Sequence, residues 1–485
     1  MDRPRTQSAV SPDFGCSTPR DSFPSVPGLA APLSAGSAAE PAVESRTKRT
    51  GNTDKRHIFV IGLDDANRRQ LATVRGAEGY AFHGLIPFEK IVSPREYPMQ
   101  ELMDEAIATL DGFHGSIDAI IAHWDFPISM MLPLLRERYG LPGPSLRSVV
   151  QAEHKYWSRL TQRDTVPEVV RNFAAVDPFA DHPIARVKSA GLDFPFWIKP
   201  VKAHSSYLGF HIHDREEFDR CLPIIRERIG RLKAPLDYFL DRIELPPEVV
   251  GVDGGWCIAE ELISKGHQCT LEGYVHRGDV VVYGVIDSLR EEAVRSVLSR
   301  YRYPSRLPES VQSRMIDGTR RLLEASELDD SPFNIEFYWD DEHDTLCLLE
   351  INPRISKSHC PLFELVAGAS HHEVLIDLAL GRRPEFPRQE GRYPVATKWM
   401  LRRQQDAFVR RVPRPDEVRE VERAVPGCRI VVEAREGQRL SELEDQDSYT
   451  YEYASVFIGG EDEEDIRKRE QRVEEMLPFE FVEAE

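Results

Sequence analysis

Residues 333–354 read FNIEFYWDDEHDTLCLLEINPR, two apolar strand-like runs joined by the acidic turn Asp340-Asp341-Glu342-His343-Asp344. This hairpin constrains the fold more than any other segment. Strand side chains alternate faces with a period of two, so one face collects Asn334, Glu336 and Tyr338. Folding the hairpin about His343 sets Glu336 opposite Glu350, and Asn352 and Arg354 follow on the same face. Two opposed carboxylates repel by roughly 4 kcal/mol at about 4 Å and an effective dielectric of about 20. A cation between them removes that cost. Magnesium, a hard ion that prefers oxygen ligands and shares them with phosphates, suits the set Glu336, Glu350 and Asn352. The plainer alternative is a solvated sheet face. Against it, the opposite face (Phe333, Ile335, Phe337, Cys347, Leu349, Ile351) is wholly apolar, and Leu346 and Leu348 keep the acidic face from being simply wet. The acidic residues of the turn itself read as turn-formers rather than ligands.

The rest of the chain divides by texture. Residues 1–55 are rich in Pro, Ser, Ala and Gly without periodic apolar positions, so they cannot offset chain entropy by burial and are expected to form a disordered tail. Order is expected to begin at HIFVIG, residues 57–62, as a strand followed by a turn and a helix over 67–75. Helical spacing at 99–110 and 128–139 flanks the apolar run 117–122, and GLPGPS at 140–145 stops the second helix. This alternation predicts a mostly parallel sheet with helices on its faces. No GxGxxG follows the first strand, so a dinucleotide site is unsupported. From about residue 149 hairpins mix with helices. Residues 196–199 read as a strand, 216–229 and 308–326 as amphipathic helices, and 256–263 and 268–276 as neighbouring strands. Arg277-Gly278-Asp279 reads as a hairpin turn rather than an adhesion signal. Later strand-like runs at 395–400, 429–432 and 453–458 precede a charged helix at 463–476.

A formal charge of -19 argues against a nucleic-acid-binding surface. A small or cationic partner suits the chain better. There is no run of 18 apolar residues, and MDRPRTQSAV lacks the apolar stretch of a signal peptide, so a cytoplasmic protein without a membrane segment is expected. The seven cysteines show no CxxC or zinc-ligand spacing and read as reduced core thiols.

Glu336 on one strand and Glu350-Ile351-Asn352-Pro353-Arg354 on the next resemble the acidic pair and E-x-N-x-R motif of the ATP-grasp superfamily, in its carboxylate-amine ligase and biotin-carboxylase-like branch. The likeness covers roughly residues 57–480. It implies a Rossmann-like α/β pre-ATP-grasp domain over 56–148, then a two-lobed ATP-grasp fold. The small lobe would span 149–262, the large lobe with the metal site 263–385, and a C-terminal α+β subdomain 386–485. Two phosphate-binding lysines of the family are matched by Lys155 in EHKYW (153–157) and Lys199 in FWIKP (196–200), with Lys202 the nearby alternative. The family's phosphate-covering loop corresponds to AHSSYLG (203–209), where Ser205 and Ser206 would cradle phosphates although only one glycine is present. CIAEELI (257–263) resembles the adenine-binding strand, giving Glu260 and the main chain of Glu261 and Ile263 to the base. Glu272 and Asp287 read equally as further site positions or as surface.

The resemblance further implies ATP and Mg2+ as cofactors, with Mn2+ able to substitute, and a small-molecule carboxylate and amine as substrates. Neither nucleic acid nor membrane is implied, and a homodimer is the common assembly. Lys155 and Lys199 would neutralise phosphate charge, and Arg354 would hold an acyl phosphate with its planar fork of donors. An amine would then attack, forming an amide or peptide-like bond. In the following loop, Ser356-Lys357-Ser358-His359-Cys360, His359 reads as a proton acceptor or a pocket wall, and Cys360 as a nucleophile or a pocket wall. His371 and His372 read as structural. Two other readings are bicarbonate activation, although ATKWM at 396–400 is a strand pattern rather than a biotinyl site, and a catalytically silent nucleotide-binding regulator.

Overall fold

The computed structural model describes residues 55–92, 94, 96–203, 207–263, 266–290, 297–443, 446 and 450–483. The tail expected over 1–55 lies outside the described residues up to residue 54, as do Cys16, Ser205 and Ser206.

The first apolar run forms β1 (Arg56–Ile61), flanked in parallel by β2 (Tyr80–Ile86) and β3 (Ala119–Ile121). Alternation decides what covers each face. Phe59 and Ile61 join the core beneath the helices Met99–Asp111 and Ile128–Arg138, whereas Ile58 and Val60 pack with Leu71, Leu375 and Ile376. A sheet covered on both faces is the setting in which parallel strands occur. Gly62 ends β1 at φ 67, and a Cβ there would stand 3.0 Å from the Trp124 indole nitrogen. Glycine supplies both the left-handed turn and the clearance.

A second, antiparallel sheet contains β4 (Phe173–Val176), β5 (Phe196–Pro200), β6 (Phe210–Ile212) and β7 (Cys257–Glu261) in the order β4-β7-β5-β6. Helix Arg215–Arg228, N-capped by Asp214, covers it with Phe218, Cys221, Leu222 and Ile225. The third sheet is antiparallel throughout. It contains β8 (His267–His276), β9 (Asp279–Arg290), β10 (Leu298–Tyr303), β11 (Ser331–Asp340), β12 (Thr345–Asn352) and β13 (Val395–Arg403). A short β14 (Ala407–Arg411) leaves it, then β15 (Cys428–Val432) and β16 (Tyr451–Gly460) return, giving the order β12-β11-β8-β9-β10-β13-β16-β15. β17 (Glu480–Glu483) pairs with β14. The last hundred residues therefore extend the sheet that holds the acidic hairpin.

Two expectations need correction. β7 and β8 are not neighbours: β7 is enclosed between β4 and β5, so its hydrogen-bonding edges are already used and β8 starts the other sheet. The hairpin also carries a bulge, because Glu336 pairs with Glu350 but Phe337 pairs with Leu348. The extra residue, Leu349, shifts the alternation of β12. Leu346 and Leu348 thereby join Phe333, Ile335, Phe337 and Ile351 in the core, each at most 5% exposed. Six such side chains at about 2 kcal/mol each give a gross gain near 12 kcal/mol, enough to hold opposed carboxylates on the other face.

The Arg277-Gly278 turn closes β8 onto β9 with φ values of 52 and 80, as a two-residue hairpin requires. Cys221, Cys257, Cys269, Cys347, Cys360 and Cys428 are free thiols, all buried except the half-buried Cys428. No described helix is long and apolar enough to cross a membrane.

Candidate active site

Cross-strand register builds two polar rows over β12, β11 and β8. One runs Glu350–Glu336–Thr270 and the next Asn352–Asn334–Glu272. Asn334 Nδ2 donates to Glu272 Oε1 at 2.7 Å, and Gln268 Nε2 donates to Glu336 Oε2 at 3.0 Å. Lys155, at the first position of helix Lys155–Thr165, brings its ammonium to 2.7 Å from Glu350 Oε1. Charge is shared unequally between the two glutamates. Burial alone would raise Glu350, but Lys155, Lys199 and Lys202 hold its carboxyl below the usual range. Burial and then the Glu350 charge push Glu336 up to about 7. A carboxylate that resists ionisation beside an ionised one, with Asn352 adjoining, is a hard-oxygen set in need of positive charge, and it fits a divalent cation of the magnesium type.

Lys155 is 9% exposed, which excludes an ordinary surface helix lysine. Its pKa is lowered, first by burial, against the pull of Glu350, and further by Lys202 and Lys199. Lys199 and Lys202 bear on Lys155 as well as on Glu350, so positive charge is concentrated around that carboxylate. Lys199 also pairs with Glu260 at 2.7 Å. Glu260 is held on its other side by Arg159 at 2.6 Å; although burial opposes ionisation, Arg159 and Lys199 keep it at about 2. Arg159 donates in addition to the carbonyls of Leu348 and Leu349 at 2.8 Å each, so one guanidinium ties the β7 strand to the β12 bulge.

Lys202, the alternative phosphate lysine, is 1% exposed and lies 2.9 Å from Glu153 and 3.1 Å from Asp125. Those carboxylates raise its pKa in spite of burial. Its charge is used within the protein. Asp125 also engages Arg354, whose Nε is 3.0 Å from Asp125 Oδ2.

A cavity of about 400 Å³ opens beside these groups. Its lining includes the polar Glu336, Asn334, Arg354 and His359 and the aromatic Tyr97, Trp124 and Phe126. Lys357 stands 4.1 Å above the Trp124 ring.

The structure therefore brings together Lys155, Lys199, Glu260, Glu336, Glu350, Asn352 and Arg354. Glu261 ends β7, exposed, with its N–H bonded to Asn172 O at 2.9 Å, and half-buried Ile263 follows in a loop. Glu272 is fully buried within the second row, and Asp287 accepts from Arg306 N at 2.9 Å in a separate network. His371 and His372 are fully buried, His371 bonding Ser356 O at 2.8 Å and His372 Ser370 Oγ at 3.0 Å. Burial raises the Cys360 thiol well above its ordinary pKa, which disfavours a nucleophilic thiolate. Sequence reading missed Asp125, Glu153 and Arg159, whose roles exist only across distant segments; the helical placement of Arg159 one turn beyond Lys155 was the available signal. The turn residues Asp340, Glu342 and His343 do converge, but they are half-buried to exposed, and Asp340 Oδ1 accepts the Glu342 N–H at 3.0 Å, as in a turn.

Residues 192–361 match the model of the ATP-grasp domain, and that segment of the chain is an ATP-grasp domain. Over 243 residues the chain is 26% identical to the carbamoyl phosphate synthase large chain, C-terminal section, of Methanopyrus kandleri, covering 49% of this chain and 40% of that protein. The chain thus spans about two-fifths of that relative's length. Among solved structures, the L-amino acid ligase from Bacillus licheniformis is similar with a TM-score of 0.66 at 15% identity, over 88% of this chain and 99% of that one. Carboxyaminoimidazole ribonucleotide synthase from Aspergillus clavatus, complexed with ATP, gives 0.59 at 12% identity over 88% and 98%. Biotin carboxylase from Campylobacter jejuni gives 0.56 at 12% identity over 89% and 93%. At these identities the likeness establishes the fold, a two-lobed ATP-grasp architecture preceded by a parallel α/β layer.

Proposed function

We propose that this protein is an ATP- and magnesium-dependent, ADP-forming ligase that phosphorylates a small carboxylate and couples it to an amine, forming an amide or peptide-like bond. The observation that carries the reading is the Glu336–Glu350 pair, flanked by Lys155 and open to the cavity through Glu336. Glu336, Glu350 and Asn352 would hold magnesium, which when bound neutralises phosphate charge. Lys155 and Lys199 attract and orient the phosphates of ATP. Glu260 and the main chain of Glu261 and Ile263 receive the adenine edge. Arg354, held in the cavity wall by Asp125, faces the substrate carboxyl and stabilises charge as the γ-phosphate is transferred.

The cavity favours an organic acid over bicarbonate. About 400 Å³ with aromatic walls far exceeds the need of a four-heavy-atom anion. The test is ADP release by the purified chain with Mg-ATP across a panel of carboxylates and amines, with bicarbonate as a separate arm. Turnover of acid–amine pairs is expected, and Glu350→Ala should lower it by about a hundredfold or more, since a metal supplies several kcal/mol to such a step. Unchanged turnover in that variant removes the metal assignment. Tight ATP binding without ADP release under every condition would identify a regulator.

A further inference from the structure

His359 occupies a position that the phosphorylation step does not use. It is 2% exposed and lines the cavity that holds Glu336 and Arg354. Its Nδ1 lies 2.6 Å from Glu272 Oε1, the oxygen that also accepts from Asn334. Its Nε2 is buried without a hydrogen-bond partner. Such an orphaned ring nitrogen costs stability unless a ligand completes it. The Tyr301 ring, edge-on at 4.6 Å between centroids, fixes the imidazole plane.

The tautomer follows from the partner. Burial raises the Glu272 carboxyl to about 7; in its ionised form it only accepts hydrogen bonds, which puts the proton on Nδ1 and leaves the Nε2 lone pair without a partner. Burial, with Lys398 and Arg354 nearby, holds His359 neutral, down at about 3. The carboxylate behind Nδ1 is placed to stabilise the imidazolium that forms when Nε2 takes a proton, the general logic of a base oriented by a third group.

We propose that His359 Nε2 is the proton acceptor for the attacking amine, with Glu272 as the residue that positions it. This rests on the ligase reading above. As the amine nitrogen bonds to the acyl carbon and the bond from that carbon to the phosphate oxygen breaks, one N–H proton passes to Nε2 and returns to the departing phosphate. Glu272 remains the acceptor from Nδ1 throughout. The role is confined to the second half of the reaction.

The experiment separates the two halves. The full chain is supplied with Mg-ATP and the twenty common amino acids as a pool of acids and amines, with or without hydroxylamine, a nucleophile already unprotonated at neutral pH. In His359→Gln, hydroxamate formation should stay within about twofold of the parent while amide formation falls by about 100-fold, the usual scale of general-base loss. Glu272→Gln should show the same split more weakly, and imidazole should restore amide formation to His359→Gly. Equal loss of both products, or loss of neither, overturns the proposal. Nitrogen-15 NMR of the resting protein provides a reading without turnover: His359 should carry its proton on Nδ1, and a proton on Nε2 overturns the assignment. A parent protein that makes neither product and releases no ADP refutes the ligase reading instead.

Discussion

Glu336→Gln gives the sharpest physical test of the acidic pair. Burial and the Glu350 charge raise the Glu336 carboxyl from its usual 4.5 to about 7. Below 4.5 the group is protonated in both folded and unfolded chains and nothing is lost. Between 4.5 and 7 the unfolded chain ionises first, so it binds fewer protons and stability falls as pH rises. Above about 7 the folded state carries the whole cost, which at about 1.4 kcal/mol per pH unit amounts to about 3 kcal/mol. Glutamine keeps an oxygen for Gln268 and removes the charge. The variant should therefore match the parent near pH 4.5 and melt a few degrees higher at pH 8 without metal. Magnesium should narrow or reverse that gap by stabilising the parent alone. Thermal melts at both pH values, with EDTA and with Mg2+, supply the measurement. A variant less stable than the parent at pH 8 in EDTA, or one stabilised by magnesium as strongly as the parent, would refute the reasoning.

Three further substitutions probe the supports around the site. Arg159→Met leaves Glu260 with Lys199 alone and strands two carbonyls of the β12 bulge. A loss of about 3–5 kcal/mol is expected from the broken buried pair, read as a lowered melting temperature, and an unchanged melt would mean the clamp is unimportant. Lys202→Met removes the ammonium shared by Glu153 and Asp125. Melting should fall on a similar scale, and the second change Glu153→Gln should recover part of it, whereas additive losses would refute the coupling. Gly284→Val places a Cβ 2.5 Å from the Phe363 ring, on the strand position opposite Glu272. Overpacking should cost about 1–3 kcal/mol, measured in the same melts; no change would show that Phe363 yields freely.

Particular residues show where sequence reading reached and where it stopped. The Glu336–Glu350 pairing follows from alternation about a short turn, so it was legible from residues 333–354 alone, and cross-strand pairing agrees. The bulge at Leu349 was not, because both alternations of an apolar strand look alike until Phe337 must choose a partner. Lys202 illustrates a different failure. On the sequence it rivals Lys199 as a phosphate contact, but folding encloses it between Glu153 and Asp125, which lie 49 and 77 residues away in the chain. Local pattern carries no information about which distant carboxylate will reach a lysine.

By itself the sequence determined the α/β beginning, the acidic hairpin and the kinds of side chain at its face, since these depend on periodicity and on neighbours a few residues apart. Tertiary structure alone decided how charge is distributed: Glu336 up near 7, Glu260 down near 2, and His359 backed by Glu272 with its other nitrogen buried and unpartnered. Those properties arise from burial and from partners across separate strands and helices. Electrostatic energies depend on distance in space, which chain order does not record.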